Sequence, residues 1–344
     1  MKIGFFADSY FPRRDGQVYT VKSWKQKLED RGHEVHIIYP ESSYEPDKGE
    51  IPLRSVKNPL YKHYIGLPTS YSKIPELDVV HCHSPGPVGL LGKRYADKKD
   101  IPKVYTFHTP LEDYIPHVVK LKSVTKLVQK LYVGLENRLL SSFDLVTSNT
   151  EEFPRKVDFE ELPAGIDMEF FQEAENSFID EMDIERPVAG YCGRLSEEKK
   201  LGDIIEFFND IDATLIIAGE GRDEERLRKK ASDNVIFKDF IDRERLPEFY
   251  TGIDVFVTGS ESDTLSLTTL EASACGTPAL APDVHPFTET IQENGERFTP
   301  GDAEDFRSKF EKVTSQEYST REHVRPYSMQ KTIDKLVGFY KEMT

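Results

Sequence analysis

The chain has 344 residues, of which 45 are lysine or arginine and 61 are aspartate or glutamate, so its formal net charge is −16. This length exceeds what one ordinary hydrophobic core occupies and predicts two domains of about 150 residues each. An apolar fraction of 38% excludes a disordered chain, and no stretch reaches the roughly 18 uncharged apolar residues of a membrane-spanning helix. The acidic balance, without an array of aromatic and basic residues, argues against nucleic-acid binding.

The first apolar run and the cysteines indicate a cytoplasmic protein. The run at 3–7 is typical of a strand, because a signal peptide needs a longer apolar run and a cleavage site. Cys82, Cys192 and Cys275 are odd in number and far apart, which fits neither a disulfide framework nor a metal site. We therefore expect a cytoplasmic protein that has no metal site.

In the first half of the chain, short β-rich runs alternate with helical patterns. This alternation predicts βαβ units and a parallel sheet covered by helices on both faces. The predicted strands are 3–7, 34–39, 79–83, 103–107 and 145–148, and the predicted helices are 18–31, 86–98 and 123–140.

The same alternation restarts after a polar, acid-rich segment. We expect a first domain at 1–168, a linker at 169–186, a second domain at 187–325 and a terminal segment at 326–344 with a last helix at 329–343. The predicted strands of the second domain are 188–192, 214–218, 235–238, 254–258 and 278–281, and its helices are 202–209, 224–231, 246–250 and 265–274.

The most informative segment joins one of these strands to a helix that is predicted to begin near Leu265. Asp263 lies just before the helix and Glu271 about two turns into it. Free amide groups and the positive end of the helix dipole favour a diphosphate, while the carboxylates can accept hydrogen bonds from ribose and hexose hydroxyls. Alternatively, this is a solvated loop followed by an amphipathic helix on which Glu271 is merely exposed.

Several motifs together resemble the retaining glycosyltransferases of family 4, which have two facing Rossmann-like domains, the GT-B fold. They cover nearly the whole chain. Four positions depart from the family pattern: Asp263 replaces a glutamate, and Ser266, Lys200 and Asp239 stand where glycine is usual. The motifs are DGQV at 15–18, VYTFHTP at 104–110, GYCGRLSEEK at 190–199, GEG at 219–221 and the run from Asp263 to the Gly-Thr-Pro sequence at 276–278.

The resemblance implies a donor site across a cleft, with a terminal helix that crosses back to the first domain. Arg194 and Lys199 would bracket the two phosphates in place of a metal, and His108 would contact the transferred sugar. Gly16 would let its loop approach the diphosphate, and Ile241 would lie against the nucleobase. The implied catalytic residues are His108, Asp263, Arg194 and Lys199; the implied donor-binding residues are Gly16, Arg194, Lys199, Ile241, Asp263, Leu265, Ser266, Leu267 and Glu271.

The pair His81 and His83 suggests a metal site at first sight. On a strand, however, the two histidines share a face while Cys82 points to the other, and no fourth ligand is apparent. We therefore reject a metal site here.

The acceptor side is indicated by the segment 109–114, which is similar to one in diacylglycerol glucosyltransferases of the same family. The adjoining stretch 117–138 is basic and amphipathic, and it predicts contact with an anionic membrane surface; basic residues in nearby loops, Arg13, Arg14, Lys57 and Lys62, would extend that surface. Alternatively, 117–138 is an ordinary helix with a solvated lysine face.

Residues 1–150 carry 22 basic against 17 acidic residues, whereas residues 151–344 carry 23 against 44, so the acidic half would be repelled from such a membrane.

We expect a hexosyltransferase that moves sugar from a nucleoside-diphosphate sugar, of the UDP-glucose type, to a membrane lipid such as diacylglycerol. The resemblance implies a retaining, metal-independent reaction without a cofactor, on the cytoplasmic face of a membrane. Two alternatives stay open: transfer to a soluble sugar or glycan, and a degenerate nucleotide-binding scaffold without catalysis. UDP versus GDP, the hexose and the oligomeric state are also open.

Overall fold

The computed structural model describes residues 1–57, 64–67, 71–108, 110–115, 122–175, 177, 179, 182 and 184–344. The chain forms two compact units. The first contains Met1–Ala164 and Thr332–Thr344, and the second contains Gly165–Lys331. Each unit has its own parallel sheet with helices packed on it, which confirms the predicted α/β class.

The first unit is built on a seven-stranded sheet with the order β3-β2-β1-β6-β7-β8-β9, in which all pairs are parallel. A separate antiparallel pair is formed by β4 and β5. The strands are β1 (Lys2–Phe6), β2 (Glu34–Pro40), β3 (Glu50–Leu53), β4 (Ser55–Lys57), β5 (Tyr64–Gly66), β6 (Val79–Cys82), β7 (Lys103–Phe107), β8 (Leu145–Ser148) and β9 (Glu160–Glu161).

The central strands of this sheet are buried along nearly their whole length, as continuous apolar runs covered on both faces should be. The helices of the unit are α1 (Gly16–Asp30), α2 (Pro87–Lys99) and α3 (Lys122–Leu140). Helix α1 is capped by Asp15, whose carboxylate accepts a hydrogen bond of 3.1 Å from the amide of Val18.

The second unit has a six-stranded parallel sheet with the order β12-β11-β10-β13-β14-β15. Its strands are β10 (Val188–Cys192), β11 (Thr214–Ala218), β12 (Val235–Lys238), β13 (Val255–Val257), β14 (Ala279–Pro282) and β15 (Gly295–Phe298). Its helices are α4 (Leu201–Phe208), α5 (Glu224–Lys230), α6 (Leu246–Gly252), α7 (Leu267–Ala274), α8 (Phe287–Thr290), α9 (Ala303–Ser315) and α10 (Thr320–His323).

The segment for which we expected a linker is part of the second unit. The hydroxyl of Ser177 donates to the carbonyl of Glu248 at 2.7 Å, and Ile179 is buried. A side chain on Gly252 would collide with Ser177, because its Cβ would lie 1.9 Å from the hydroxyl oxygen. Side chains in the middle of the segment therefore pack against α6.

The last helix, α11 (Met329–Met343), begins in the second unit, and its residues from Thr332 onward belong to the first unit. In the first unit, Thr332 donates to the carbonyl of Pro163 at 2.9 Å, and Tyr340 is fully buried. Asp334 pairs with Arg31 at 2.8 Å. The expected return of the terminal helix to the first domain is confirmed.

Candidate active site

The carboxyl ends of the strands in the second unit bring the motif residues together, and this is where open parallel sheets bind ligands. The loop after β11 packs directly on the loop after β10. A Cβ on Gly219 would lie 2.0 Å from the carbonyl oxygen of Gly193, and one on Gly221 equally close to that of Leu195. Only glycine permits this approach, which sets the position of the chain that carries Arg194.

Lys199 and Asp263 form an ion pair at this edge although they are 64 residues apart in sequence. Lys199 ends the short 3₁₀ turn Glu197–Lys199 after β10, and Asp263 follows β13, the neighbouring strand of the sheet. Both side chains are partly buried. The sheet topology thus places an ammonium group beside a carboxylate, as needed to hold a phosphate and a sugar hydroxyl side by side.

Arg194 lies nearby and remains about half exposed, at 49%. Its guanidinium faces one oxygen of Glu198 at 3.9 Å, while Arg222 faces the other at 3.8 Å. Ion pairs of this length at a partly exposed surface contribute little to stability.

Glu271 is buried, with 7% of its surface exposed, so the alternative of a merely exposed glutamate is wrong. The hydroxyl of Tyr250 donates to one carboxylate oxygen at 3.0 Å, and Arg243 lies 3.7 Å from the other. Burial raises the pKa of Glu271 to about 7, against the opposing effects of Arg243 and Tyr250.

Arg243 is a site residue that the sequence analysis missed. It belongs to the 3₁₀ turn Arg243–Arg245, and its guanidinium lies over the rings of Phe170 and Phe171 at 5.1 and 5.0 Å. Three distant segments meet here, and no local motif signals the arrangement. Ile241, expected at the nucleobase, is partly buried and lies two residues before Arg243.

The turn into α7 begins with Ser266 in the left-handed conformation, at φ 58° and ψ 68°. Lys200, the N-cap residue of α4, is left-handed too, at φ 50°. These are two of the positions where glycine was expected, and the backbone explains that expectation because only glycine adopts this conformation at no steric cost. Leu265 is buried and Leu267 begins α7.

In the first unit, His108 follows β7 and is buried beside two further histidines of β6 and its end. Its Nε2 lies 3.0 Å from Nδ1 of His83, and the two rings stack at 5.3 Å. The ring of His83 in turn stacks on that of His81 at 4.3 Å. Burial lowers the pKa of His108 to about 4 and that of the other two well below the ordinary value, so all three are neutral at pH 7.

Asp8 is a second group that the sequence analysis did not single out. Its carboxylate accepts hydrogen bonds from the hydroxyl of Ser84 at 2.8 Å and from the amides of Val88 and Gly89 at 2.8 and 3.2 Å. It thereby caps α2, and desolvation raises its pKa. Gly16 is exposed and is the first residue of α1, the helix that follows β1.

The segment after His108 is held by a buried ion cluster. Arg155, whose side chain is completely buried, donates to both carboxylate oxygens of Glu112 at 2.7 and 2.6 Å and to Glu136 at 2.5 Å. Its guanidinium lies over Phe107 at 4.8 Å. The cluster ties the 3₁₀ turn Leu111–Tyr114 to α3.

Helix α3 turns an apolar stripe outward. The helix lies in the stretch 117–138, for which we expected a membrane contact. Residues 117–121 of that stretch, like Thr109 and Lys62, lie outside the described residues. Exposed Lys126, Lys130 and Arg138 flank the stripe, so the outward face is not simply a lysine face. The stripe consists of Val124, Leu127, Leu131 and Leu135, which are 41, 58, 59 and 71% exposed.

Two parallel α/β units, one of which gathers cations and carboxylates at the carboxyl edge of its sheet, match the class of GT-B glycosyltransferases. The family model "Glycosyltransferase Family 4" matches residues 14–156, and "Glycosyl transferases group 1" matches residues 172–331. The chain belongs to the GT-B glycosyltransferases of family 4.

Relatives with assigned activities span most of the chain. Alpha-monoglucosyldiacylglycerol synthase of Acholeplasma laidlawii is 29% identical over 81% of this chain and 80% of its own length. The enzyme of the same name from Streptococcus pneumoniae is 27% identical over 82% and 71%.

Solved structures with the same fold are more distant in sequence. Sucrose-phosphate synthase from Thermosynechococcus elongatus superposes with a TM-score of 0.76 at 18% identity, over 99% of this chain and 98% of that one. Anabaena HepE, crystallised with UDP and glucose, gives 0.73 at 17% identity over 99% of both chains. Among the described helices, none combines the length and apolarity needed to cross a bilayer.

Proposed function

We propose that this enzyme transfers a hexose from a UDP-glucose-type donor to a lipid such as diacylglycerol at an anionic membrane surface. The observation that carries the proposal is the exposed apolar stripe of α3, flanked by cations, in the same unit as His108. The activities named for the relatives from Acholeplasma and Streptococcus agree with it, as does that of the Arabidopsis sulfoquinovosyl transferase, which is 26% identical over 89% of this chain.

The second unit would bind the donor. Lys199 and Arg194 would neutralise the diphosphate, because an ammonium and a planar guanidinium fork supply the positive charge that a divalent metal supplies elsewhere. Asp263 and Glu271 would accept hydrogen bonds from sugar hydroxyls, and Ile241 would lie against the base. The amides around Leu265, Ser266 and Leu267 would approach the phosphates, as would Gly16 in the first unit.

The transfer would retain the anomeric configuration. The bond between the anomeric carbon and the phosphate oxygen breaks, and the acceptor oxygen bonds to that carbon on the same face. The acceptor's hydroxyl proton passes to the departing phosphate oxygen. No protein nucleophile takes part, so the residues act by positioning the reactants and stabilising the leaving diphosphate, with His108 donating toward the sugar.

Helix α3 would hold the enzyme at the membrane as a peripheral protein. Each cation near an anionic surface contributes on the order of 1 kcal/mol, and fully burying a leucine about 1.5 to 3 kcal/mol. The three cations that flank the stripe and its four apolar side chains therefore suffice for reversible binding to the membrane.

A transfer assay tests the reaction. We expect the protein to form a glucolipid from UDP-glucose and diacylglycerol in vesicles, to leave the linkage in the α configuration by NMR, and to remain active in EDTA. Activity should be higher in vesicles with anionic lipid than in those with phosphatidylcholine alone. Transfer to soluble sugars but not to lipid, or no turnover with any donor, would contradict the proposal.

Vesicle co-sedimentation tests the surface itself. Replacing Leu127, Leu131 and Leu135 together with serine should abolish co-sedimentation at low salt while UDP binding persists. Val56→Ser is a matched control, because Val56 is 47% exposed in the same unit but lies on β4. Equal sedimentation of the triple variant and the wild type would rule out α3 as the contact.

A further inference from the structure

His81, His83 and His108 stack in a column, and the ring at one end, that of His81, is fixed by hydrogen bonds. Nδ1 of His81 is 2.5 Å from the hydroxyl of Tyr340 on α11, and its Nε2 is 2.6 Å from the hydroxyl of Thr106. Thr106 in turn lies 2.7 Å from the hydroxyl of Thr147. With both ring nitrogens engaged, His81 cannot rotate without breaking hydrogen bonds, and it supports the stacked ring of His83.

The contact between His83 and His108 can hold its proton in two ways. Either His83 donates from Nδ1, or His108 donates from Nε2. A neutral imidazole carries one proton, so each arrangement fixes where the remaining proton sits on the other ring.

The surroundings of His83 favour one of these arrangements. Within the part of the chain that the structure describes, Nε2 of His83 is buried and has no hydrogen-bond partner. The rings of Phe5 and Trp24 pack against this imidazole, with centroids 4.9 and 5.8 Å away. If His108 were the donor, the proton of His83 would sit on Nε2 as a buried N–H without an oxygen or nitrogen acceptor, which proteins strongly avoid.

We propose that His83 is a positioning residue that donates from Nδ1 to Nε2 of His108 and so holds His108 as the Nδ1–H tautomer. The nitrogen of His108 that His83 does not engage then carries a proton and is a donor. A neutral N–H at this position can donate to a sugar hydroxyl or to a developing negative charge without a protonation step. This inference rests on the proposed sugar transfer for its purpose, although not for its geometry.

The tautomer can be observed directly. In protein labelled with ¹⁵N-histidine, long-range ¹H–¹⁵N correlation spectra distinguish the protonated from the bare ring nitrogen, with assignment by His83→Asn and His108→Gln. We expect His108 at pH 7 to be protonated on Nδ1 and bare on Nε2. A proton on Nε2 of His108 in the wild type would overturn the proposal.

Two substitutions at His83 separate the hydrogen bond from packing. Asparagine keeps an amide donor near the position of Nδ1, whereas leucine fills space without one. We expect His83→Leu to lower kcat on the order of 10²-fold with little change in the KM for UDP-glucose, and His83→Asn to keep most of the wild-type kcat and the Nδ1–H tautomer. Equal losses in both variants, with an unchanged His108 spectrum, would contradict the role of His83.

A matched control is Tyr95→Phe, which removes a hydroxyl that donates to the carbonyl of Pro75 at 2.8 Å in the same unit but away from the column. It should leave kcat and the spectrum of His108 unchanged. The spectrum needs no substrate, so the two proposals fail separately. An Nδ1–H tautomer in a protein that transfers no sugar would overturn the proposed function alone, whereas active transfer with Nε2–H would overturn this inference alone.

Discussion

The two candidate sites of this enzyme are organised by different forces. In the first unit, His81, His83 and His108 are neutral, buried and held by hydrogen bonds and stacking. In the second unit, Lys199 and Asp263 are partly exposed and pair with each other, and the half-exposed Arg194 faces Glu198. The first site is fixed before any ligand arrives, whereas the second has charges that a diphosphate would rearrange.

The difference indicates where binding free energy is gained and where geometry is set. A diphosphate entering the second unit would have to share Lys199 with Asp263, so the ion pair keeps the ammonium in place at the expense of some affinity. The histidine column needs no such exchange. We therefore expect substitutions in the second unit to act through charge and those in the first to act through position.

The largest effect should come from removing the ammonium group of Lys199. In Lys199→Met the side chain keeps its length, but Asp263 is left beside the position of the leaving phosphate without a counter-charge. Loss of one such stabilising group costs about 10²- to 10³-fold in kcat. We expect a loss of this size in steady-state glucose transfer.

Lys229→Met provides the control for this prediction. Lys229 also pairs with a carboxylate, that of Glu225, at 2.7 Å, but both side chains are highly exposed on α5. Lys229→Met should change kcat by less than about twofold, because most exposed ion pairs contribute little free energy. If Lys199→Met retained more than a tenth of the wild-type kcat, the charged site would be less important than the comparison implies.

The alternating βα core of both units could be predicted because apolar runs and helical periods alternate clearly there, but five shorter strands and three late helices were missed, namely β3, β4, β5, β9, β15, α8, α9 and α10. The family resemblance implied that Lys199 and Asp263 belong to one donor site, and the structure pairs the two side chains. Local patterns could not reveal Arg243 at Glu271, since the stacking rings of Phe170 and Phe171 come from a segment that looked like the start of a linker. His83 was set aside together with the metal site. Its role could not be predicted, because its hydrogen-bond partner, His108, follows the neighbouring strand of the sheet.

A second prediction uses Glu271, a buried carboxyl group of the second site. Its pKa is raised to about 7 by burial, so the carboxyl group is largely protonated at pH 6 and ionised at pH 8. Hydrogen bonds from ribose hydroxyls favour the ionised form, which accepts at both oxygens. We expect the affinity for UDP-glucose to rise about tenfold between pH 6 and pH 8, measured by calorimetry.

Glu271→Gln isolates this titration. The amide is neutral throughout, so the variant should bind UDP-glucose weakly and with the same affinity at both pH values. The intact donor is the appropriate ligand because its diphosphate diester does not titrate in this range. A pH dependence that survives in Glu271→Gln would assign it to another group.

The smallest effect concerns the backbone that positions the second site. Ser266 holds a left-handed conformation, at a cost of roughly 1 to 2 kcal/mol for a residue with a Cβ. Ser266→Gly removes that strain but adds freedom to the unfolded chain, so we expect a net gain of about 0.5 to 1 kcal/mol in the free energy of unfolding of the second unit. Ser308→Gly, at an exposed position in α9, adds the same freedom without relieving strain and should lower stability by a similar amount. Calorimetric unfolding of the two variants measures both changes in the free energy of unfolding, the expected gain and the expected loss. Because glycine adopts the left-handed conformation of Ser266 without strain, Ser266→Gly should leave the affinity for UDP-glucose nearly unchanged. A large change would show that the strained turn itself shapes the donor site.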